Sequence, residues 1–132
     1  MRRVTLRFMG RVQKETWICV VDDDESVRSA TASLLRAAGY ATASFGSAEA
    51  FLAAGDLHRF ACLVVDIQMP GMDGIALADW LGRDAPHVPI ILVTARTERD
   101  VLERAAASRA AFVLRKPFPA QRLLACLQIV LG

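Results

Sequence analysis

Short apolar runs alternate along this sequence with segments of helical spacing, and this alternation limits the fold more than any other feature. Most of the apolar runs are continuous, which is typical of strands buried on both faces. Strands are predicted at residues 17–21, 40–45, 60–65, 89–93 and 112–114. Helices are predicted at residues 26–38, 47–52, 75–81, 97–107 and 119–131.

Five strand–helix pairs in succession predict an α/β domain built on a doubly wound parallel (βα)5 sheet. Strands joined by helices run parallel with right-handed crossovers, and the helices cover both faces of the sheet. Ligand sites in such sheets form beyond the carboxyl ends of the strands. The residues that directly follow each strand are therefore the first candidates for function.

Capping residues mark the predicted helix ends. Gly39 and Gly82 are predicted to end the first and third helices. Ser47 is a predicted N-cap, and segment 97–100 resembles a capping box that opens the fourth helix. Pro119 fits the first position of the last helix.

The composition suits one folded domain. The chain has 132 residues, of which 54% are hydrophobic and 23% are charged, so a single core is expected and general disorder is not. No apolar run reaches membrane-spanning length, and no apolar stretch follows the positive start at residues 1–3. These features predict a cytoplasmic protein without a membrane partner.

Basic residues are concentrated in residues 1–16, which hold five of them against Glu15. We expect this segment to be a flexible basic extension, with a functional basic arm or an alternative start at Met9 as other interpretations. Residues 17–132 are predicted to form the domain. Nucleic-acid binding needs basic density on the folded surface, so direct binding of nucleic acid is not expected.

The cysteines and histidines form no metal-ligand pattern in the sequence. Cys19, Cys62 and Cys126 lack CxxC spacing and lie in apolar stretches, which predicts buried neutral thiols in a reducing compartment. His58 and His87 fall in polar, loop-like segments that are far apart in sequence. A metal or catalytic role for either histidine is not the favoured interpretation.

Chemically distinctive side chains follow four of the strands. They are Asp22 and Asp23 after the first, Asp66 after the third, Thr94 after the fourth and Lys116 after the fifth. Three carboxylates in one crevice require a counter-charge, and Mg²⁺ suits carboxylate, water and phosphate oxygens. A carboxylate beside a metal and a lysine can attack phosphorus and form an aspartyl phosphate.

Each of these residues also has a simpler interpretation. An acidic run is often a helix N-terminus whose dipole favours negative charge, and Lys116 alone could be any surface lysine. However, 14 of the 16 basic residues are arginines, and the other lysine lies in the N-terminal segment. The combination therefore favours a site over isolated surface charges.

The segments around these positions resemble the receiver domain of bacterial two-component response regulators. The resemblance covers about residues 17–131, and its motifs are at residues 20–24, 65–74, 93–95 and 116–118. It implies a flavodoxin-like fold with strand order 2-1-3-4-5. It also implies that a sensor histidine kinase or a phosphotransfer protein donates the phosphoryl group from a phosphohistidine.

The resemblance implies a role for each residue of the acidic cluster. Asp66 is the expected phosphoacceptor, and Asp23 and Asp66 are expected to bind Mg²⁺ directly. The backbone carbonyl of Gln68 completes the expected protein ligands, and Asp22 acts through a bound water.

The resemblance also implies roles for residues that respond to phosphorylation. Thr94 is the expected switch hydroxyl, and Lys116 is the expected ion-pairing lysine, with a cis peptide bond to Pro117. The side chains of Gln68 and Arg96 are expected to influence the rate of dephosphorylation.

Two features depart from the family pattern. The position three residues before the lysine is usually aromatic, but here it is Val113, with Phe112 one residue earlier. A one-residue slip would let Phe112 serve instead; otherwise the coupling of Thr94 to the fifth strand is altered. A small residue, often glycine, usually precedes this strand, where this chain has residues 108–111.

The sequence does not identify the output partner or output domain of this receiver-like segment. Either it is a stand-alone receiver that acts through an unknown output partner, or it is a piece of a longer regulator whose DNA-binding output domain is missing. Homodimerisation or docking is expected on the face of the fourth helix, fifth strand and fifth helix. That face would include Arg99, Asp100, Glu103 and Arg104, which could equally be ordinary solvated charges.

Other functions fit the sequence less well. The domain is not expected to be a turnover enzyme, because phosphohydrolases of the dehalogenase type need an aspartate where Gln68 stands. A flavin carrier needs a hydroxyl- and glycine-rich phosphate loop after the first strand, where this chain is acidic. A pseudo-receiver that binds partners without phosphorylation remains the alternative because of Val113.

Overall fold

A computed structural model describes residues 15–132 of the chain. The predicted basic extension at residues 1–16 therefore lies almost entirely outside the described residues, and its flexibility stays a prediction. No helix within the described part is both long enough and apolar enough to cross a bilayer.

Within residues 15–132, five strands alternate with five helices, as the sequence predicts. The strands are β1 (Trp17–Val21), β2 (Ala41–Phe45), β3 (Phe60–Asp66), β4 (Ile90–Thr94) and β5 (Phe112–Arg115). The helices are α1 (Glu25–Ala37), α2 (Ala48–Ala54), α3 (Gly74–Asp84), α4 (Arg99–Ala107) and α5 (Ala120–Leu131), and a 3-10 turn at Leu57–Arg59 precedes β3.

All five strands pair in parallel in the order β2-β1-β3-β4-β5. This confirms the predicted doubly wound α/β fold and the strand order 2-1-3-4-5. The order reverses beside β1, so the carboxyl ends of β1 and β3 flank the place where such sheets bind ligands.

Two apolar clusters lie on opposite faces of the sheet. Alternate residues of each strand supply them: in β4, Leu92 belongs to one cluster, and Ile91 and Val93 belong to the other. Helices α2, α3 and α4 cover the first face, and α1 and α5 cover the second. Because both faces are buried, the strands read as continuous apolar runs.

Several predicted helix ends are wrong. Pro119 is the N-cap of α5, which begins at Ala120, and is not the first residue of that helix. Gly82 does not end α3, which continues to Asp84, because a helical glycine costs only about 1 kcal/mol and the buried Leu81 and Ala85 anchor the last turn. A Cβ at Gly82 would lie 2.8 Å from Cδ of Arg109, so glycine here makes room for a side chain that crosses the helix.

The predicted capping box at residues 97–100 is also absent. Helix α4 begins at Arg99 with Glu98 as its N-cap, and no side chain caps it. The carboxylate of Glu98 instead pairs with Nε of Arg96 at 2.8 Å. Ser47 does cap α2 as predicted, because its hydroxyl accepts the backbone N–H of Ala50.

Candidate functional site

Three carboxylates converge at the carboxyl edge of the sheet. Asp22 and Asp23 directly follow β1, and Asp66 is the last residue of β3. These strands are neighbours whose register pairs Val21 with Val65. One carboxylate oxygen from each aspartate lies within 4.8 Å of the others. The predicted convergence of acidic residues from distant parts of the sequence is therefore present.

Lys116 reaches the same cluster from the end of β5. Its Nζ lies 3.3 Å from Oδ2 of Asp22 and 3.9 Å from Oδ2 of Asp66. The backbone N–H of Lys116 donates to the carbonyl of Thr94, which ties the end of β5 to that of β4. The peptide bond from Lys116 to Pro117 is cis, as predicted.

Asp66 lies in an environment that disfavours its charge. Asp66 is only 8% exposed to solvent. The pKa of Asp66 is raised to about 6, mainly by burial and also by the charges of Asp22 and Asp23, although Lys116 and the backbone N–H of Gln68 oppose the shift. A cation within the cluster would stabilise the ionised form of this carboxylate.

The acidic run after β1 divides into two roles. Asp24 is the N-cap of α1, and its carboxylate accepts the backbone N–H groups of Ser26 and Val27. The hydroxyl of Ser26 also donates to it, and this bond leads the contributions that lower the pKa of Asp24. The helix-cap interpretation is therefore correct for Asp24, whereas Asp22 and Asp23 face the cluster.

Thr94 is buried beside the cluster with both hydrogen-bonding functions of its hydroxyl in use. Its hydroxyl donates to Oε1 of Gln68 at 2.8 Å and accepts the backbone N–H of Arg96 at 2.9 Å. Strand register pairs Asp66 with Val93, so Thr94 lies on the adjacent strand, one residue beyond the position level with Asp66. The sequence does not predict the bond to Gln68.

A family model described as the response regulator receiver domain matches residues 18–128. The chain belongs to this family. The carboxylates, the threonine and the lysine described above all lie within the matched region of this receiver domain.

Relatives of this receiver domain include longer regulators. It is 35% identical over 113 residues to the transcriptional regulatory protein FixJ of Azorhizobium caulinodans, covering 86% of this chain and 54% of FixJ. It is 32% identical over 128 residues to the response regulator protein TodT of Pseudomonas putida, covering 96% of this chain and 55% of TodT. The receiver domain thus spans about half the length of these curated relatives.

Solved structures share the fold of this receiver domain. The response regulator StyR superposes with a TM-score of 0.80 at 37% identity, over 89% of this chain and 60% of StyR. The chemotaxis protein CheY4 of Vibrio cholerae superposes with a TM-score of 0.79 at 28% identity, over 89% of this chain and 99% of CheY4. The similarity therefore extends to a protein of nearly the same size.

The strand register decides between Phe112 and Val113. In the receiver domain Val113 pairs with Leu92 and packs on the same apolar cluster, whereas Phe112 packs against the cluster on the opposite face. Thr94 follows Leu92 by two residues and so shares the face of Val113. No slip brings Phe112 to this face, which leaves valine at the position that is usually aromatic in the family.

The loop after β3 is held by contacts that the sequence does not reveal. The carboxylate of Glu49, on α2, accepts the backbone N–H of Met72 at 2.7 Å, and this bond lowers the pKa of Glu49. Gly74 begins α3 so close to β3 that a Cβ would lie 2.5 Å from the carbonyl oxygen of Asp66. Both contacts fix the loop that follows the candidate phosphoacceptor.

The remaining predicted features lie away from the cluster. All three cysteines are buried free thiols, as predicted, and burial raises the pKa of Cys62 to about 12. His58 and His87, which are distant in sequence, approach to 3.0 Å between Nδ1 and Nε2. They precede β3 and β4, so they lie at the end of the sheet opposite the carboxylates.

The predicted docking face carries exposed charges. Arg99, Asp100, Glu103 and Arg104 are all exposed on α4. Nη2 of Arg104 lies 3.5 Å from Oδ2 of Asp73, the N-cap of α3. This ion pair connects α4 to the loop that follows Asp66.

Proposed function

We propose that this receiver domain is a Mg²⁺-dependent phosphoacceptor of a two-component system and that Asp66 is the residue phosphorylated. The observation that carries the proposal is the cluster itself. Three carboxylate groups within 4.8 Å of one another share a lysine from the end of β5. Charge repulsion in such a cluster favours a bound cation, and that cation together with Lys116 would supply the positive charge that a phosphoryl group needs there.

The donors in the cluster suit magnesium. Mg²⁺ binds one or two carboxylates and keeps several waters and phosphate oxygens. Asp23 and Asp66 would bind it directly with the backbone carbonyl of Gln68. Both carboxylate oxygens of Asp22 already have partners, the ammonium of Lys116 and the backbone N–H of Asp24, which supports its role through a bound water.

In the proposed reaction, a carboxylate oxygen of Asp66 attacks the phosphorus of a phosphohistidine on a kinase or phosphotransfer protein. An oxygen–phosphorus bond forms, the phosphorus–nitrogen bond breaks, and the imidazole leaves with its bonding electrons and takes up a proton. Bound Mg²⁺ supplies positive charge to the transferring group. Lys116 adds a second positive charge, and Thr94 donates its hydroxyl to a phosphoryl oxygen in the product.

Partners and output are proposed from the relatives. FixJ is a transcriptional regulatory protein, so control of an attached or separate output module is the corresponding role for this domain. The α4–β5–α5 face is the proposed surface for homodimerisation or docking. The domain would act in the cytoplasm as a signalling switch and not as a turnover enzyme on a small substrate.

Phosphorylation by acetyl phosphate tests this function directly. The protein is incubated with acetyl phosphate with and without Mg²⁺, and intact mass spectrometry detects the added phosphoryl group. Addition should require Mg²⁺ and should disappear in Asp66→Asn. Asp79→Asn, an exposed aspartate of α3, is the matched control and should be modified like the unsubstituted protein. Equal modification of the Asp66 variant would refute the assignment.

A pseudo-receiver is the second candidate, and Val113 is the observation that favours it. The face of β5 that carries Val113 has no aromatic side chain. Phosphorylation at the cluster therefore could not change the position of a large side chain on that face. A pseudo-receiver would bind its partner without being phosphorylated. No modification by acetyl phosphate and no binding of beryllofluoride with Mg²⁺ would support this alternative.

A further inference from the structure

Thr94 has only one proton to donate, and in this structure Gln68 receives it. The hydroxyl of Thr94 donates to Oε1 of Gln68 at 2.8 Å, and the backbone N–H of Arg96 donates to the hydroxyl oxygen at 2.9 Å. A hydroxyl carries one donor. The hydroxyl therefore cannot donate to a phosphoryl oxygen on Asp66 while this bond to Gln68 exists.

We propose that Gln68 is a positioning residue that holds the Thr94 hydroxyl in the resting domain and competes with the phosphoryl group for its proton. This inference rests on the function proposed above. It concerns the side chain of Gln68, which is separate from the backbone carbonyl expected to bind Mg²⁺. Phosphorylation then replaces Oε1 of Gln68 by a phosphoryl oxygen as the acceptor of the Thr94 hydroxyl. The strength of the bond between Thr94 and Gln68 limits the fraction of domains that become active.

Because Thr94 is buried, its hydroxyl can donate either to Gln68 or to a phosphoryl oxygen, but not to water. Thr94 is 0% exposed, so water does not replace Gln68 as the acceptor. A buried hydroxyl without an acceptor is unfavourable. The Thr94 proton therefore stays with Gln68 until a phosphoryl oxygen is available, which keeps the unphosphorylated domain in the resting arrangement.

The Gln68 side chain has room to move once it is released. It is half-buried and lines an open cleft of about 430 Å³ together with Met69, Arg96 and Arg104. The freed amide can be hydrated in this cleft, so breaking the bond does not leave it without partners. The cost of the exchange is then close to the net strength of one neutral hydrogen bond.

A double-mutant cycle isolates this bond. Beryllofluoride, a phosphoryl analogue, is titrated calorimetrically into Mg²⁺-saturated protein at pH 7 for the unsubstituted domain, Gln68→Met, Thr94→Ala and the double variant. Methionine is unbranched and similar in length to glutamine but accepts hydrogen bonds only weakly. Gln128→Met, at an exposed position of α5, is the matched control, and Gln68→Leu is measured in parallel so that the result does not depend on one variant folding.

Gln68→Met should tighten beryllofluoride binding by about 2- to 10-fold, because one net hydrogen bond no longer favours the resting state. In the Thr94→Ala background the same substitution should change the affinity by less than about 1.5-fold, since the bond is already absent. The Gln128 control should have no effect. A merely structural role of Gln68 would change the affinity equally in both backgrounds.

The outcomes separate the two proposals. If the unsubstituted domain binds beryllofluoride and Gln68→Met has the same effect with and without the Thr94 hydroxyl, the role of Gln68 is refuted while the phosphoacceptor function stands. Weaker binding by Gln68→Met would refute it as well. If the unsubstituted domain does not bind beryllofluoride with Mg²⁺, the proposed function and the role of Gln68 both fail.

Discussion

Replacing Asp66 by asparagine should make the magnesium-free receiver domain more stable at neutral pH, although the substitution removes the proposed phosphoacceptor. Asp66 is only 8% exposed as a residue, and its carboxylate lies in one cluster with those of Asp22 and Asp23. Asparagine has nearly the same shape and no charge. Lys116 keeps its nearer partner, because its Nζ lies 3.3 Å from Asp22 and 3.9 Å from Asp66.

The magnitude follows from the pKa of Asp66. Burial and the neighbouring carboxylates raise this pKa from 3.8 to about 6 in the folded protein, and the difference corresponds to about 3 kcal/mol. Because the cluster opens to solvent at the exposed Asp23, screening reduces this figure. We expect Asp66→Asn to raise the free energy of unfolding by about 1 to 3 kcal/mol at pH 7.

The pH dependence has a definite sign. Between pH 3.8 and about 6 the folded protein retains a proton on Asp66 that the unfolded chain has released. The stability of the unsubstituted protein therefore falls as the pH rises through this window, and the loss is complete above it. The advantage of Asp66→Asn should be largest at pH 7, about half as large at pH 5 and about a fifth as large at pH 4.

Urea denaturation at pH 4, 5 and 7 without divalent cations measures these differences. Mg²⁺ at ten times its dissociation constant should then raise the stability of the unsubstituted protein by about 1.4 kcal/mol, and it should raise that of Asp66→Asn by less. Asp79→Asn, an exposed control, should change stability by less than about 0.5 kcal/mol. A destabilised Asp66→Asn at pH 7, or an advantage that does not shrink towards pH 4, would refute the electrostatic reasoning.

Further substitutions and a chemical probe test the surroundings of the cluster. Gly74→Ala should lower the free energy of unfolding by about 1 to 3 kcal/mol, because its Cβ would lie 2.5 Å from the backbone oxygen of Asp66. Gly46→Ala, whose Cβ would make only ordinary contacts, should change the free energy of unfolding by less than about 1 kcal/mol in the same urea denaturation assay. Glu49→Ala should lower the urea midpoint in the same assay, because the backbone N–H of Met72 loses a charged acceptor; an unchanged midpoint would contradict this. The three buried thiols should react with a disulfide reagent only in urea, and reaction of the native protein would contradict their burial.

The alternation of apolar runs and helical segments predicted the architecture because burial on both faces leaves a direct trace in the sequence. Strands β1, β3 and β4 are almost wholly buried, and a strand buried on both faces is apolar at every position. Helix ends were predicted less well. Helix α3 continues beyond Gly82 because the residues around its last turn pack into the core. Capping residues in the sequence do not indicate such packing.

The candidate site was predictable to the extent that topology determines it. Parallel strands bring their carboxyl ends to one edge, so the approach of Asp22, Asp23, Asp66 and Lys116 followed from their positions after the strands. The same rule could not divide the acidic run, because Asp24 and Asp23 are chemically alike. Only the direction of the chain at the start of α1 turns Asp24 towards Ser26 and away from the cluster.

The sequence by itself therefore determined which elements form, how they are ordered and which chemical groups lie at the functional edge. The tertiary structure alone decided the polar contacts between segments that are distant in sequence: Thr94 with Gln68, Glu49 with Met72, and His58 with His87. The physical reason is that periodicity reports whether a side chain is buried. The partner of a polar atom depends instead on distances of about 3 Å between segments that no repeating pattern relates.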